Sequence, residues 1–328
     1  DHSMSQAIML KLRYLNRGAW YEPAVCEGMT LETCRSGSPG TLTWEMYTNH
    51  VIDPGDIVEL RDWDSWKLFR GFVFTTQHGK DGKIKVTAYD QLRYLKNKDT
   101  IIYENWKADK LIRRIANGMD LTCGDLPDTG YTMKTYNGDN KTYFDIIGDA
   151  LDAVLIEQNE LYILYDDFGK LVLKDAYDMR VPILLDDGSA EDYSIQSSID
   201  GETYNQIKLV YTDSTKSSRD VYIAKDSNSI NKWGVLQYYD TTTNDASNAV
   251  SKVNDLLKLY NAVRRNVTIK GIKGDNRVRG GSSVYVKMSM GEVMQNGWMI
   301  VDKATHKWSN NVHLMDLSLE GGVFNASE

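Results

Sequence analysis

Along the first hundred residues, apolar side chains recur at every second position. Ile8, Leu10, Leu12 and Tyr14 share one face of a run from Ala7 to Leu15, the period of a strand with one side buried. Leu42, Trp44 and Met46 repeat the pattern after the turn Gly37-Ser38-Pro39-Gly40. Ile84, Val86 and Ala88 repeat it again, with Lys83, Lys85 and Thr87 turned to water. Gly79-Lys80-Asp81-Gly82 joins this last run to Phe72–Thr76, and its glycines supply the positive φ that a hairpin loop needs.

The period then lengthens. Trp106, Ile112, Ile115, Ala116 and Met119 form a helical stripe, with Asn105 as its expected cap and Gly118 near its end. Thr142 followed by Asp145 reads as a capping pair; it opens a second helix carrying Phe144, Ile147, Leu151 and Val154. Leu161–Tyr165, the turn Asp166-Asp167-Phe168-Gly169 and Leu171–Leu173 predict a hairpin. Strands return at Tyr204–Tyr211, Val221–Lys225 and Val235–Tyr239. Asp245 is the expected cap of a long helix, Asp245–Arg265, with Val250, Val253, Leu256, Leu257, Tyr260 and Val263 on one stripe. The last strands are expected at Val267–Ile272, Ser283–Met288, Trp298–Val301 and Val312–Leu319.

Two stretches echo one another. Gly55, then Val58 and Leu60, then Gly71-Phe72-Val73-Phe74, then His78 precede the strand at 84–90. Gly281, then Val284 and Val286, then Gly297-Trp298-Met299-Ile300, then His306 precede the strand at 312–319. The two glycines stand 16 residues apart in both copies. The expected fold class is mainly β with an α+β insertion: two similar antiparallel β-barrel or sandwich domains, 4–98 and 191–322, flank a small α+β middle domain, 99–190. The second β domain carries the long helix. Asp1-His2-Ser3, ahead of Met4, read as an expression remnant.

Composition supports the β reading. The chain of 328 residues holds 20 Tyr and 25 Gly against 5 Pro, which suits pleated, half-buried surfaces broken by turns. The net charge of −8 argues against a nucleic-acid partner, which needs a concentrated basic face. Arg113-Arg114 and Arg264-Arg265 fall in predicted helices and read as solvated faces. No run approaches the ~18 apolar residues of a membrane helix, so a soluble, cytoplasmically made protein without membrane insertion is expected.

Catalytic signatures are weak. Cys26, Cys34 and Cys123 match no zinc spacing and read as reduced thiols. His2, His50, His78, His306 and His313 form no ligand motif. Leu126-Pro127-Asp128-Thr129-Gly130 has the letters of a sorting signal but no apolar span after it; Asp128-Thr129-Gly130 mimics an aspartic-protease loop, but Asp186-Asp187-Gly188-Ser189 is a poor match for the second carboxylate loop that mechanism needs. The chain is therefore not expected to be an enzyme or to bind a cofactor or metal. Two other readings are a cell-wall hydrolase and a carbohydrate-binding module. The second would use some of the eight Trp; Trp44 and Trp298 fall at alternating core positions, whereas Trp63 and Trp66 flank Asp64-Ser65 at a hairpin tip.

The run Gly71-Phe72-Val73-Phe74, the strand ending Ala88-Tyr89-Asp90-Gln91-Leu92, the helix 108–116, Thr142-Tyr143-Phe144-Asp145-Ile146-Ile147, and the ending Gly297-Trp298-Met299-Ile300-Val301, His306, Leu317–Gly321 together resemble the XkdQ/YqbQ family of PBSX-like prophage tail proteins. That family is related to late control protein D and to contractile-tail baseplate hubs. The resemblance covers nearly the whole chain. It implies tail-tube-like β domains, a homotrimer forming a pseudo-hexameric ring, and partners among the tail tube protein, the spike and other baseplate proteins. It also implies a place in the tail of a virion or phage-like particle assembled in the bacterial cytoplasm. Ile57, Leu60, Val284 and Val286, on expected edge strands, are the candidate seam between subunits; Trp63 and Trp66 are candidate contacts to a subunit or partner.

Overall fold

The computed structural model describes residues 10–47, 51–213, 215–242 and 246–321. Seven strands come first: β1 (Leu10–Asn16), β2 (Ala19–Tyr21), β3 (Ala24–Cys34), β4 (Thr41–Tyr47), β5 (Ile57–Asp62), β6 (Lys67–His78) and β7 (Lys83–Tyr89). Leu12, Tyr14, Leu42, Trp44, Met46, Ile84, Val86 and Ala88 all point into one core, as their alternation predicts. Ala7 and Ile8 lie outside the described residues. The hairpin between β6 and β7 pairs His78 with Ile84.

A middle unit follows: β8 (Lys98–Trp106), α1 (Ala108–Gly118), β9 (Met133–Thr142), α2 (Tyr143–Gln158), β10 (Tyr162–Asp166) and β11 (Leu171–Asp175). Thr142 caps α2 by accepting from the Asp145 backbone N–H. Asn105 does not cap α1. It is the last but one residue of β8, in a left-handed conformation with φ 58; Lys107 holds the cap position without a side-chain bond. Trp106 belongs to β8, where it stacks on Tyr103.

The chain then runs through β12 (Arg180–Asp186), β13 (Asp192–Ser198), β14 (Gln206–Asp213), β15 (Ser218–Lys225), α3 (Ser227–Trp233), β16 (Gln237–Thr242), α4 (Ala249–Tyr260), β17 (Arg264–Lys273), β18 (Ser283–Met290), β19 (Val293–Ser309) and β20 (Val312–Gly321). Asp245 lies outside the described residues. The helix expected to reach Arg265 stops at Tyr260, capped by Asn261; Arg264 and Arg265 are strand residues. β14, β15 and β16 make a separate three-stranded sheet packed on α4.

All other strands outside the middle unit form one sheet, ordered β13-β17-β20-β19-β3-β4-β7-β6-β5-β1-β2, with β18 bridging β12 and β19. This order contains the same pattern twice. The N-terminal half reads β3-β4-β7-β6-β5-β1 and the C-terminal half reads β13-β17-β20-β19-β18-β12. In both halves the chain visits the six positions in the same sequence. One partner differs in direction: β1 runs antiparallel to β5, whereas β12 runs parallel to β18. β12 thus joins the sheet, although the sequence boundary at 190 assigns it to the middle segment. The β14–α4 module fills the connection that spans only 35–40 in the first half, which is why the long helix has no counterpart there.

Backbone bonds fix the equivalence residue by residue. Gly55 donates to Val73 O (2.7 Å) and Val73 to Asp56 O (2.8 Å); Gly281 donates to Val301 O (2.8 Å) and Val301 to Ser282 O (2.7 Å). Both glycines are left-handed, with φ 96 and φ 94, a conformation a side chain resists. One residue past each valine the register slips: the bulge lies between Val73 and Thr75 in β6 and between Val301 and Lys303 in β19. Val73 therefore corresponds to Val301, His78 to His306, Val58 to Val284 and Leu60 to Val286. Gly71 and Gly297 are not equivalent, because the second hairpin is two residues longer. Met299, 1% exposed, takes the inward place of Gly71, and Trp298 is only half-buried.

Neither half closes into a barrel among the described residues. Each sheet curls round its own core, but the outer edge of β3 is taken by β19 and not by the far strand of its own half.

Candidate functional site

The two halves meet along β3 and β19. Cys34 pairs with Lys303, Thr33 with Ala304, Glu32 with Thr305, Leu31 with His306, Thr30 with Lys307 and Met29 with Trp308. β3 can reach β19 because β18 covers only residues 293–300 of that edge. Ions reinforce the joint: Arg35 Nε reaches Asp302 Oδ1 at 2.7 Å, Arg35 Nη2 reaches Glu320 at 3.3 Å, and Lys303 Nζ reaches Glu32 at 3.3 Å. Gly280 N–H donates to Thr33 Oγ1 at 2.9 Å. A Cβ on Gly280 would lie 2.2 Å from the Cys34 carbonyl carbon, so only glycine permits this approach.

The middle unit is tied to both halves by an enclosed charge cluster. Arg279 donates to the Asp166 carbonyl at 3.2 Å and lies 4.2 Å over the Tyr165 ring. Asp90 accepts from the N–H groups of Gly40 (2.8 Å) and Leu92 (3.0 Å). Burial, then the charge of Asp166, raises the Asp90 carboxyl well above its usual range. Burial pushes Asp166 up to about 6.

The six candidate residues separate into two groups. Leu60, Val284 and Val286 are 0% exposed, and Ile57 is half-buried in the same strand as Leu60. β5 lies between β1 and β6, and β18 between β12 and β19. These strands are interior, so the four aliphatic residues pack within the chain. Trp63 and Trp66 are 65% and 51% exposed. Asp62 Oδ1 holds their loop by accepting from the N–H groups of Asp64 and Trp66, both at 2.8 Å. Asn276 Nδ2 anchors the other carboxylate oxygen at 2.9 Å. Trp66 also borders a cleft of about 640 Å³ shared with Arg180, Arg277 and Tyr165.

Two open edges escaped the sequence reading. β13 pairs only with β17 among the described residues. The distal part of β6, Thr75–His78, pairs only with β7, because β5 reaches no farther than Phe72. β13 carries just Tyr193 and Ile195 as apolar residues, a weak strand signal.

Among the described histidines, His306 and His313 lie against each other. His306 Nε2 bonds the Val278 carbonyl (2.7 Å) and Nδ1 faces His313 Nε2 (2.8 Å). Burial holds both rings neutral and lowers His313 to about 4. No cluster of three His, Cys, Asp or Glu suited to a metal occurs among the described residues, and no helix there is long and apolar enough to cross a membrane. Cys34 and Cys123 are free thiols.

Residues 29–320 match the YQBQ-like family, and the chain belongs to it. It is 29% identical to two Bacillus subtilis proteins. One is YqbQ, over 95% of this chain and 96% of that protein; the other is XkdQ of the phage-like element PBSX, over 95% and 97%. A 43 kDa tail protein of prophage MuSo2 from Shewanella oneidensis has the same fold, with a TM-score of 0.66 and 11% identity over 94% of this chain and 98% of that one. The fold is thus one found in prophage tail proteins.

Proposed function

We propose that this chain is the hub of a phage or phage-like contractile tail, a homotrimeric ring joining the tail tube to the central spike. The observation that carries the reading is the duplication. Two β units with one strand order, joined edge to edge by β3 and β19, give each chain two near-equivalent positions around an axis. Three copies then offer six, as a six-fold tube requires, while the chain itself repeats three times, as a three-fold spike requires. Heterologous contacts of this kind form a closed ring when the rotation per step fits.

In this reading the chain is a structural component and the particle tail is its place of action. The clamped, exposed Trp63–Trp66 loop is the contact to tube or spike, since large aromatics on a rigid support favour protein interfaces. The same two Trp would also serve the carbohydrate-binding alternative, so the test must separate the two. Cryo-electron microscopy of purified tails is expected to show three copies on the axis between tube and spike. Six copies, or a position on sheath or fibres, refutes the hub. Retention on cell-wall polysaccharide that vanishes with Trp63→Ala would favour the alternative.

A further inference from the structure

The internal equivalence extends to the two open edges. Mapping β19 onto β6 places Lys303 at Thr75, Ala304 at Thr76, Thr305 at Gln77 and His306 at His78. Mapping β3 onto β13, through the matching pairs with β4 and β17, places Leu31 at Ile195, Glu32 at Gln196, Thr33 at Ser197 and Cys34 at Ser198. β3 covers the distal edge of β19 within the chain. Its counterpart β13 has no such partner, and neither has the distal edge of β6 among the described residues. One chain therefore exposes both halves of a joint that it has already made once internally.

We infer that β13 of one copy pairs antiparallel with Thr75–His78 of β6 in the next copy, in the register of the internal joint: Ser198 opposite Thr75, Ser197 opposite Thr76, Gln196 opposite Gln77 and Ile195 opposite His78. The inference deepens the hub reading and rests on the ring it supposes. It replaces the β5 and β18 seam, whose strands are interior.

Three features of the edges fit a second copy of this chain as occupant. Neither of the segments that would pair, Ile195–Ser198 and Thr75–His78, contains Lys, Arg, Asp, Glu or Pro; charged residues and Pro are what natural sheets use to block an exposed edge. Tyr193 and Ile195 are half-buried against the C-terminal core, whereas their counterparts Met29 and Leu31 are each 4% exposed beneath β19; a covering strand would complete the burial. His78 is exposed while its counterpart His306 is 3% exposed, again the difference one extra strand makes. The chemistry at the end of the joint also changes coherently. Arg35 and Asp302, an ion pair in the internal joint, correspond to Ile199 and Phe74, which would make an apolar contact between copies.

The test uses the whole chain in its particle. Opposed residues of antiparallel strands have Cα atoms about 4.5–5.5 Å apart, within the roughly 4.4–6.8 Å that a disulfide spans. Tails are prepared from cells in which two single variants, T76C and S197C, are co-expressed, so that a disulfide between positions 76 and 197 arises only between copies. Mild oxidation is expected to give covalent dimers, with the bridge located by peptide mass spectrometry. The pair Q77C and Q196C, one step along the register, serves if the first pair folds poorly; T76C with D192C, five positions out of register, is the control. Cryo-electron microscopy of the same tails reports copy number and place. Three axial copies without the bridge, or with the control bridging equally well, overturn the seam and leave the hub standing. Absence of the chain from the axis overturns the hub itself, and the seam with it.

Discussion

The two echo glycines make opposite predictions once their surroundings are compared. A Cβ on Gly71 would lie 2.2 Å from the Tyr89 carbonyl oxygen and 2.6 Å from Phe69 Cζ. The first obstacle is backbone held in the β6–β7 ladder by the Phe72–Tyr89 pair, so Gly71→Ala must push the two strands apart next to the bulge. Overpacking of this kind costs about 1–3 kcal/mol, and the loss of ladder geometry puts the expected value near the top of that range. A Cβ on Gly297 meets nothing nearer than Gln295 Nε2 at 4.0 Å. Gly297→Ala is therefore expected to be neutral, or to stabilise by about 0.4–1 kcal/mol through the unfolded chain. At about 1.5 °C per kcal/mol for a chain of this length, scanning calorimetry should find G71A melting about 3–5 °C below the parent and G297A at or slightly above it. Equal losses in the two variants would mean that the glycines are equivalent after all, and the residue-by-residue alignment of the halves would fall.

Three further outcomes are expected. Glu59 is 3% exposed and accepts hydrogen bonds from Arg13, Arg61 and Arg70; burial opposes its charge, but these bonds outweigh burial and hold its carboxyl below the ordinary range. Its contribution is present above pH ~4.5 and lost as pH falls through the folded value; Glu59→Gln should cost about 1–3 kcal/mol at pH 7 in urea unfolding, discounted because the arginines are partly solvated, with the gap to parent closing in acid. Asp166 has the opposite sign: its carboxyl is raised to about 6, so its contribution is full below pH ~4 and lost as pH rises through 6. The parent should thus gain stability between pH 7 and 5 relative to Asp166→Asn. Trp63→Ala and Trp66→Ala should leave melting within about 0.5 kcal/mol of parent, as exposed sites do, yet weaken co-sedimentation with the tube or spike protein about tenfold or more; unchanged binding would remove the loop from the interface.

Local rules made much of the fold legible. Leu42, Trp44 and Met46 announced β4 because alternation depends only on which face is buried, and Thr142 announced α2 because its cap bond to Asp145 is local. The failures are non-local. Val58 and Leu60 alternate as any half-buried strand does, and nothing near them reveals that Tyr14 and Leu12, over forty residues earlier, occupy their outer side. β12 was obscured by Pro182, which reads against a paired strand. The 16-residue glycine spacing was a sound clue carried by one sound residue. Gly55 and Gly281 share a conformation that only the turn demands, whereas Gly71 and Gly297 coincide because the second hairpin has two extra residues. The Trp63–Trp66 loop was visible, being local. The edges of β13 and β6 were not, because an edge is defined by a partner that is missing.

The two joints differ in a way that bears on when a ring would form. The internal joint is made within one chain, so its strands are held at high effective concentration, and it also carries Arg35–Asp302, Arg35–Glu320 and Lys303–Glu32. At the corresponding places the inferred joint between copies has Ile199 with Phe74 and Gln196 near Thr75. It has no ion pair to steer encounter, and two chains must lose their translational freedom to make it. The β14–α4 module further separates them, since it emerges beside β13 where the first half has only the six residues 35–40. A joint lacking both charge and tether is the one expected to wait for a template. In a tail, tube or spike would supply it by holding three chains at one axis, which would keep the subunit from closing rings before its neighbours are in place.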